Sequence, residues 1–323
     1  MTRKQSGGGG GEEAVVIILA AAALFVGHTQ GLFNIKDLFG GGGGGVVLPP
    51  PTGGGGGGGT ITPPPSNSGI DQTAALNFIK NSYIPSVQML EEAPGFNVFW
   101  LWNDQLLGQI CLKHIDPEMA TTIDNKMNSF GVTMRTPWAT LDPKYRNNFS
   151  VKTASEPTIQ AGTPAIRYSD YNGDSEFSVN NYADIAFLSA IHHYYNNNLT
   201  LAKQAYDAGR GMWNGEGMLD AGNITGDYAV YKVALGMLAE KITGFTPIGI
   251  PDDWFAPFQN ENGGITTDKT GGVPSGSQNI ETTAAVLFAV NPSLLTEPAE
   301  EEEEEELLFP PTFDLITFST NGA

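Results

Sequence analysis

The sequence predicts a mainly α-helical protein made of antiparallel helical hairpins. Apolar residues recur at spacings of three and four along residues 227–242 and again along residues 181–195, which is the period of a buried helical face. A short polar break at 196–198 separates the second stretch from a further predicted helix at 199–213. Two helices joined so closely must lie antiparallel, so these two stretches form a hairpin.

A second helical pair is predicted at residues 103–112 and 117–130. The segment between them ends in Asp116, a residue type that caps the amino ends of helices. Pro117 then occupies the favoured first helical position. The two helices are again close enough in the chain to form an antiparallel pair.

Residues 77–83 and 281–290 complete the predicted helices. Residues 131–179 are rich in Thr, Pro, Asn and Asp and lack a helical period, which predicts extended loops with short strands. Hairpins that are apolar over much of their circumference bury themselves most easily side by side around a common axis. The predicted architecture is therefore an α/α toroid or a partial toroid.

Composition limits the folded part of the chain and its partners. Many of the 41 glycines among the 323 residues lie in pure tracts at 7–11, 40–45 and 53–59, which cannot form a core. The net charge of −19 comes without a Lys/Arg cluster, which argues against nucleic-acid binding. The single cysteine, Cys111, excludes a disulfide framework within the chain and a cysteine-based zinc site.

The amino-terminal part of the sequence has the character of a targeting segment and a stalk. Residues 1–30 begin with Arg3 and Lys4 and contain the apolar run Ala14–Gly27. That run is shorter than the ~20 residues of a spanning helix and predicts a signal peptide or an N-terminal membrane anchor. Residues 31–69 alternate glycine tracts with proline runs, as in a disordered linker.

The remaining segments are a helical domain and a tail. Residues 70–292 contain the predicted helices and form the α/α-hairpin domain. Residues 293–323 comprise an acidic run and an apolar tail, Leu307–Phe318, which could dock on another subunit. These segments together predict an extracellular or cell-surface protein that is tethered to a membrane.

Local motifs within the domain resemble those of a known fold. The stretches concerned are Tyr182-Ala-Asp184, Met212-Trp-Asn-Gly-Glu216, Asn262-Gly-Gly-Ile-Thr266 and Asn279-Ile-Glu-Thr-Thr-Ala-Ala285. They resemble the helical hairpins of the six-hairpin glycosidase-like superfamily, in particular uncharacterised surface proteins of archaea and bacteria with that fold. The resemblance covers about residues 70–292 and implies a glycosidase-like domain with fewer hairpins than a full barrel of that family.

Carboxylates lie at the start of several predicted helices, at Asp104, Asp184, Asp227 and Glu281. Anions there are stabilised by the helix dipole by ~0.3–1 kcal/mol each, so capping alone explains the pattern. Alternatively, the inner helices of a toroid would gather these carboxylates around one mouth. Glycoside hydrolysis needs two carboxyl groups, ~5 Å apart for retention or ~6.5–9.5 Å apart for inversion. Asp104 and Glu281 are the preferred catalytic pair because both lie beside aromatic or glycine-rich segments.

Aromatic residues near these helix starts are candidate sugar platforms. Trp102, Trp213 and Trp254, together with Glu216, form the predicted substrate-binding set. Packing into the core is the more common explanation for any one of these tryptophans. Trp102 is expected to be exposed, because alternation with Trp100 along an extended segment puts the two rings on opposite faces.

Two further kinds of site are suggested by polar loops. Asp170, Asn172, Asp174 and Glu176 alternate in a turn-prone segment, which suits either a solvated turn or a structural calcium site. Asn148, Asn198 and Asn223 begin Asn-x-Ser/Thr sequons, all predicted in loops or at helix ends, where glycosylation of an exported protein would occur.

These patterns give two functional hypotheses. The first is an exported cell-surface protein whose glycosidase-like helical domain binds or processes a glycan and needs no catalytic cofactor. The alternative is a non-catalytic structural subunit of a cell-surface layer or filament, which would self-associate through Ala14–Gly27 or the Leu307–Phe318 tail.

Overall fold

Helices dominate the structure and confirm the mainly α-helical class. The computed structural model describes residues 69–96, 100–131, 134–154, 159–161, 165–223 and 226–296. The α-helices in these residues are α1 (Gln72–Asn81), α2 (Trp102–Leu112), α3 (Pro117–Ser129), α4 (Ala183–Tyr195), α5 (Leu199–Arg210), α6 (Val230–Thr243) and α7 (Ile280–Val290). Short 3-10 helices lie at Pro137–Leu141, Arg146–Asn148, Ala256–Phe258 and Pro292–Leu295.

Short strands form three small sheets. The strands are β1 (Tyr83–Ile84), β2 (Met89–Leu90), β3 (Trp100–Leu101), β4 (Ile159–Ala161), β5 (Ile166–Tyr168), β6 (Tyr228–Ala229), β7 (Thr266–Thr270) and β8 (Val273–Gln278). β1 pairs with β2, and β7 pairs with both β6 and β8, all antiparallel. β5 lies between β3, to which it is parallel, and β4, to which it is antiparallel. β3, β6 and β8 lead directly into α2, α6 and α7, so these sheets set where the helices begin.

The predicted helical pairs are confirmed. α2 packs on α3, and α4 packs on α5. Asp116 caps α3 as predicted, because its side chain accepts a hydrogen bond from Met119 N at 3.1 Å and Pro117 begins the helix. Among the described residues of 131–179, only short strands and 3-10 helices occur, as expected from their lack of a helical period.

Burial divides the helices into two groups. We call α2, α4, α6 and α7 the inner helices, because they are buried around most of their circumference. We call α1, α3 and α5 the outer helices, because each buries a single face. The contrast follows from sequence, since α7 is almost wholly apolar and small whereas α5 carries Lys203, Asp207 and Arg210 on its exposed side.

The inner helices form one continuous layer. α4 packs on α6, α6 on α7, and α7 on α2, while α1 covers α2 and α7. Close packing is visible at Gly108 in α2, where an added methyl group would clash with Leu90. Cys111 lies in the same helix and is fully buried, and this burial raises the pKa of its thiol far above the usual range.

Three predicted helix boundaries are wrong. The helix predicted at 77–83 is α1, which begins at Gln72 and ends at Asn81, and Tyr83 lies in β1. Asp227 does not lie in a helix, because β6 comes between it and the start of α6 at Val230. The helix predicted at 199–213 ends at Arg210, because Trp213 pairs with Met218 in a tight β-bridge.

Several predicted segments lie outside the described residues. These are the signal peptide or anchor at 1–30, nearly all of the linker at 31–69, and the acidic run and tail beyond residue 296. Within the part that the structure describes, no helix has the length and apolar character needed to cross a membrane.

Candidate functional site

The amino ends of the four inner helices meet on one side of the domain. The hydroxyl of Tyr231 in α6 lies 3.4 Å from Asp184 Oδ2 in α4. The negative charge of Glu281 in α7 acts on Asp104 in α2, and the charge of Asp184 acts on Glu281. Glu92, from the loop after β2, acts on both Asp104 and Glu281. We call Glu92, Asp104, Asp184 and Glu281 the carboxylate cluster.

Asp104 lies deepest in this cluster. The residue is 1% exposed, and its Oδ2 has no hydrogen-bond partner among the described residues. Burial, and then the charges of Glu92 and Glu281, raise the pKa of Asp104 well above its usual value. Because an unpaired charge is costly to bury, this site favours the protonated form of the carboxyl group.

Glu92 and Glu281 are each only half-buried and lie at the more open part of the cluster. Burial raises the pKa of Glu92 to about 7. Burial, followed by the charges of Glu92 and Asp184, raises the pKa of Glu281 to about 8. The two segments are tied together because Ile280 N donates a 3.0 Å hydrogen bond to the backbone oxygen of Glu92.

Asp184 and Tyr231 extend the cluster towards α4 and α6. Burial raises the pKa of Asp184, while the nearby charge of Lys232 acts in the opposite direction. Burial, followed by the charge of Asp184, raises the pKa of Tyr231 well above its usual value. The tyrosine is therefore a neutral hydrogen-bond donor to this carboxylate.

A buried ion pair fixes the ends of α4 and α6 beside the cluster. Lys232 Nζ lies 2.8 Å and 3.0 Å from the two carboxylate oxygens of Asp220, and both side chains are almost inaccessible. Asp220 also accepts hydrogen bonds from Ala183 N at 2.9 Å and from Gly222 N at 2.9 Å. The pair thus connects the first residue of α4 with the first turn of α6.

Capping explains the polar residues of the outer helices better than those of the inner ones. Each outer helix has a side chain at its N-cap that accepts a backbone hydrogen bond from the first turn; these caps are Asp71, Asp116 and Asn198. α2, α4 and α6 have no side-chain cap, and α7 is capped by Asn279 and not by Glu281. The inner carboxylates therefore lie inside the first turn, where they face one another.

This arrangement is suited to proton transfer. The raised pKa values of Glu92, about 7, and of Glu281, about 8, lie close to neutral pH. A general acid and a general base work best when their pKa values lie near the working pH. One carboxyl group can therefore be protonated while a neighbour is ionised.

The structure brings the predicted pair, Asp104 and Glu281, into one cluster. Their separate positions in the chain, at the starts of α2 and α7, become adjacent because α7 packs on α2. Asp104 is too deeply buried to be in contact with solvent, whereas Glu281 is half-buried. Their catalytic role stays a prediction.

The predicted exposure of Trp102 is wrong. Its ring is buried at 3% exposure and packs edge-on against Tyr145 at 5.4 Å, and Trp100 is buried as well. Alternation does not apply because the strand ends at Leu101 and the helix begins at Trp102.

The other predicted substrate-binding residues lie together at a second place. The rings of Trp213 and Trp254 are 6.3 Å apart and half-buried, and Lys269 Nζ lies 5.7 Å from the ring of Trp254. The same ammonium group donates to the backbone oxygen of Glu216 at 3.0 Å, while the Glu216 side chain is exposed. Asn214 connects this patch to β6 through a 2.7 Å hydrogen bond to the hydroxyl of Tyr228.

The calcium site stays a prediction. Asp170 accepts hydrogen bonds from Asn172 at 2.6 Å and from Arg135 N at 3.3 Å, and Asp174 and Glu176 are exposed. Among the described residues, no group of three or more His, Cys, Asp or Glu is placed to bind a metal ion.

The asparagines of the three sequons lie in loops or at helix ends, as predicted. Asn148 ends a 3-10 helix, Asn198 caps α5, and Asn223 lies in a turn after Asp220. Asn198 is exposed, and its Oδ1 accepts from Leu201 N at 3.3 Å. Glycosylation of these residues stays a prediction.

Sequence reasoning missed Glu92, Tyr231 and the Lys232–Asp220 pair. Glu92 lies in a loop without a motif, and Lys232 is a single charge within an apolar helix. Asp184 shared the helix-start pattern of Asp104 and Glu281, which could have placed it in the same site. No protein-family model, curated protein or solved structure matches the chain.

Proposed function

We propose that the chain binds and hydrolyses a glycan at the carboxylate cluster. The observation that carries this proposal is the pairing of Glu92 and Glu281, two half-buried carboxyl groups with pKa values of about 7 and about 8 beside one another. Glycoside hydrolysis requires such a pair, one carboxyl group protonated and the other ionised.

In this proposal Glu281 is the general acid. Its pKa of about 8 keeps it protonated at neutral pH, so it can give its proton to the oxygen of the sugar leaving group. Glu92 has the lower pKa, of about 7, and is the carboxylate that takes a proton from water or attacks the sugar carbon. Asp104, which the sequence predicts as a catalytic residue, is too deeply buried to contact the sugar. In this proposal it is a positioning residue, and Glu92 takes its place in the catalytic pair.

The proposal also includes a partial α/α toroid as the architecture of the domain and the cell surface as its location. The continuous layer of inner helices, with their amino ends gathered on one side, supports a partial α/α toroid of glycosidase-like type. The apolar run Ala14–Gly27 and the Gly/Pro-rich stalk support display at a cell surface.

The experiment compares two glutamates at equivalent helix positions. Glu281 and Glu118 are each the second residue of a helix, in α7 and α3, but Glu118 is exposed on an outer helix. With a panel of polysaccharides as substrates, Glu281→Gln should lower kcat/KM for release of reducing sugar by about 100-fold or more. Glu118→Gln should leave it unchanged.

The pH profile adds an independent readout. Activity should rise as Glu92 ionises near pH 7 and fall as Glu281 ionises near pH 8. Glu92→Gln should remove the rise at low pH. Failure of the wild-type chain to release sugar from every polysaccharide would contradict the proposal and favour the non-catalytic alternative.

A further inference from the structure

An open cleft lies beside the carboxylate cluster, between the loop after Glu92 and the β7–β8 hairpin. Its volume is about 530 Å³, which is within the ~300–1,000 Å³ of small-molecule sites. One wall is formed by residues 93–96, and the other by Asn260 and residues of β7 and β8.

Both walls of the cleft continue directly into the proposed catalytic residues. Ala93 in the first wall follows Glu92, and Gln278 in the second wall precedes Glu281 by less than one helical turn. The 3.0 Å hydrogen bond from Ile280 N to Glu92 O joins the two walls where they meet the cluster. The chain segments that line the cleft are therefore the same ones that carry Glu92 and Glu281.

The lining is polar but uncharged. Carboxamides, hydroxyl groups and two apolar rings alternate around it, supplied by Asn260, Gln278, Thr266, Ser277, Pro94 and Phe96. None of the described residues that line the cleft carries a charge. Amides and hydroxyl groups suit the hydroxyl groups of a sugar, and a ring such as that of Phe96 suits its apolar face.

Gln278 provides an acceptor that the protein itself does not use. Its Oε1 is buried and has no hydrogen-bond partner among the described residues. A buried acceptor without a donor lowers the stability of the folded state. A hydroxyl group in the cleft would supply the missing donor once the side chain turns towards it.

We propose that this cleft is a binding subsite for uncharged sugar units of the glycan. The cleavage of a bound glycan rests on the proposed function. The binding of sugar units in the cleft does not. Acidic sugars are disfavoured because the lining offers no cation to balance their negative charge. Cationic amino sugars find no counter-charge in the lining either.

The test measures binding separately from hydrolysis. Neutral, uronic-acid and amino-sugar oligosaccharides of equal length would be screened on a glycan array with the full chain, and binders would be titrated by calorimetry. Ser277→Trp should fill the cleft and abolish binding, and Phe96→Ala should weaken it by about tenfold. Val273→Trp, on an exposed residue of the same hairpin that does not line the cleft, is the matched control and should bind as the wild type does.

The outcomes separate this inference from the proposed function. Binding of neutral sugars that is lost in Ser277→Trp supports the subsite even if no substrate is cleaved. Hydrolysis that depends on Glu281 but is unaffected by Ser277→Trp would overturn the subsite and leave the proposed function intact. A preference for charged sugars, or the absence of binding to every neutral sugar on the array, would also overturn it.

Discussion

The outer and inner helices use polar residues at their amino ends in different ways. Asp71, Asp116 and Asn198 each cap an outer helix and remain in contact with solvent or with exposed partners. Asp104, Asp184 and Glu281 lie inside the first turns of inner helices, where burial raises their pKa values. Polar residues near helix starts thus stabilise the outer helices as caps, whereas in the inner helices they are carboxyl groups whose ionisation burial opposes.

This difference teaches that position in the fold, and not the local pattern, separates capping from a candidate site. Burying several carboxyl groups together lowers stability unless they are protonated or paired. An arrangement that is unfavourable for stability but suited to proton transfer is typical of functional sites.

The largest expected effect concerns the inner ion pair. Lys232→Met should lower the free energy of unfolding by about 3–5 kcal/mol, because it leaves Asp220 buried without its counter-charge. Urea denaturation followed by circular dichroism measures the change.

Lys203→Ala is the matched control on an outer helix. The Lys203–Asp207 pair lies at 2.6 Å but is largely exposed, so its loss should cost less than about 1 kcal/mol. Equal effects of the two substitutions would remove the distinction between the inner and outer helices.

A change in pH should have a smaller effect on the free energy of unfolding. Because the pKa values of Glu92 and Glu281 are raised, the folded protein binds more protons than the unfolded chain, and stability must fall as pH rises towards about 8. His192 and His193 have lowered pKa values and act in the opposite direction below 6.5. Between about pH 6.5 and 8, where histidine contributes little, the free energy of unfolding should fall by roughly 1–3 kcal/mol.

Glu281→Gln should make the free energy of unfolding fall less steeply with pH, because it removes the group that has the higher pKa of the two. Thermal unfolding across the pH range provides the measurement. A stability that is flat or rises with pH would mean that the cluster does not hold protons in the folded state.

The smallest expected changes in the free energy of unfolding come from one residue of each group of helices. Asp71→Ala should cost about 1 kcal/mol, because it removes the hydrogen bond to Ala74 N that caps α1. Asp104→Asn should cost less than about 0.5 kcal/mol, or raise stability, since it replaces a carboxyl group whose charge is unfavourable. If Asp104→Asn is the more damaging change in chemical denaturation, Asp104 has a structural role.

Much of the fold could be predicted from the sequence because helical periodicity is a local property. The pairs α2–α3 and α4–α5 and the Asp116 cap followed from spacing and from residue type. The meeting of Asp104 and Glu281 followed from the hypothesis that helix amino ends gather on one side. This hypothesis required the packing of α7 on α2, which local pattern cannot supply.

The remaining parts of the site depend on contacts between distant segments. Glu92 belongs to the cluster because a backbone hydrogen bond ties its loop to Ile280. Lys232 has no sequence signal, since its partner Asp220 lies in a loop. Trp102 was misplaced because a change from strand to helix within one residue reversed the expected direction of its side chain.

The burial of Cys111 has a practical consequence. It is the single sulfhydryl group of the chain and lies fully buried in α2. A maleimide or similar electrophile can reach it only while α2 is separated from its neighbours, so the labelling rate reports how often the domain opens. The native chain thus contains its own reporter of transient opening, without an engineered label.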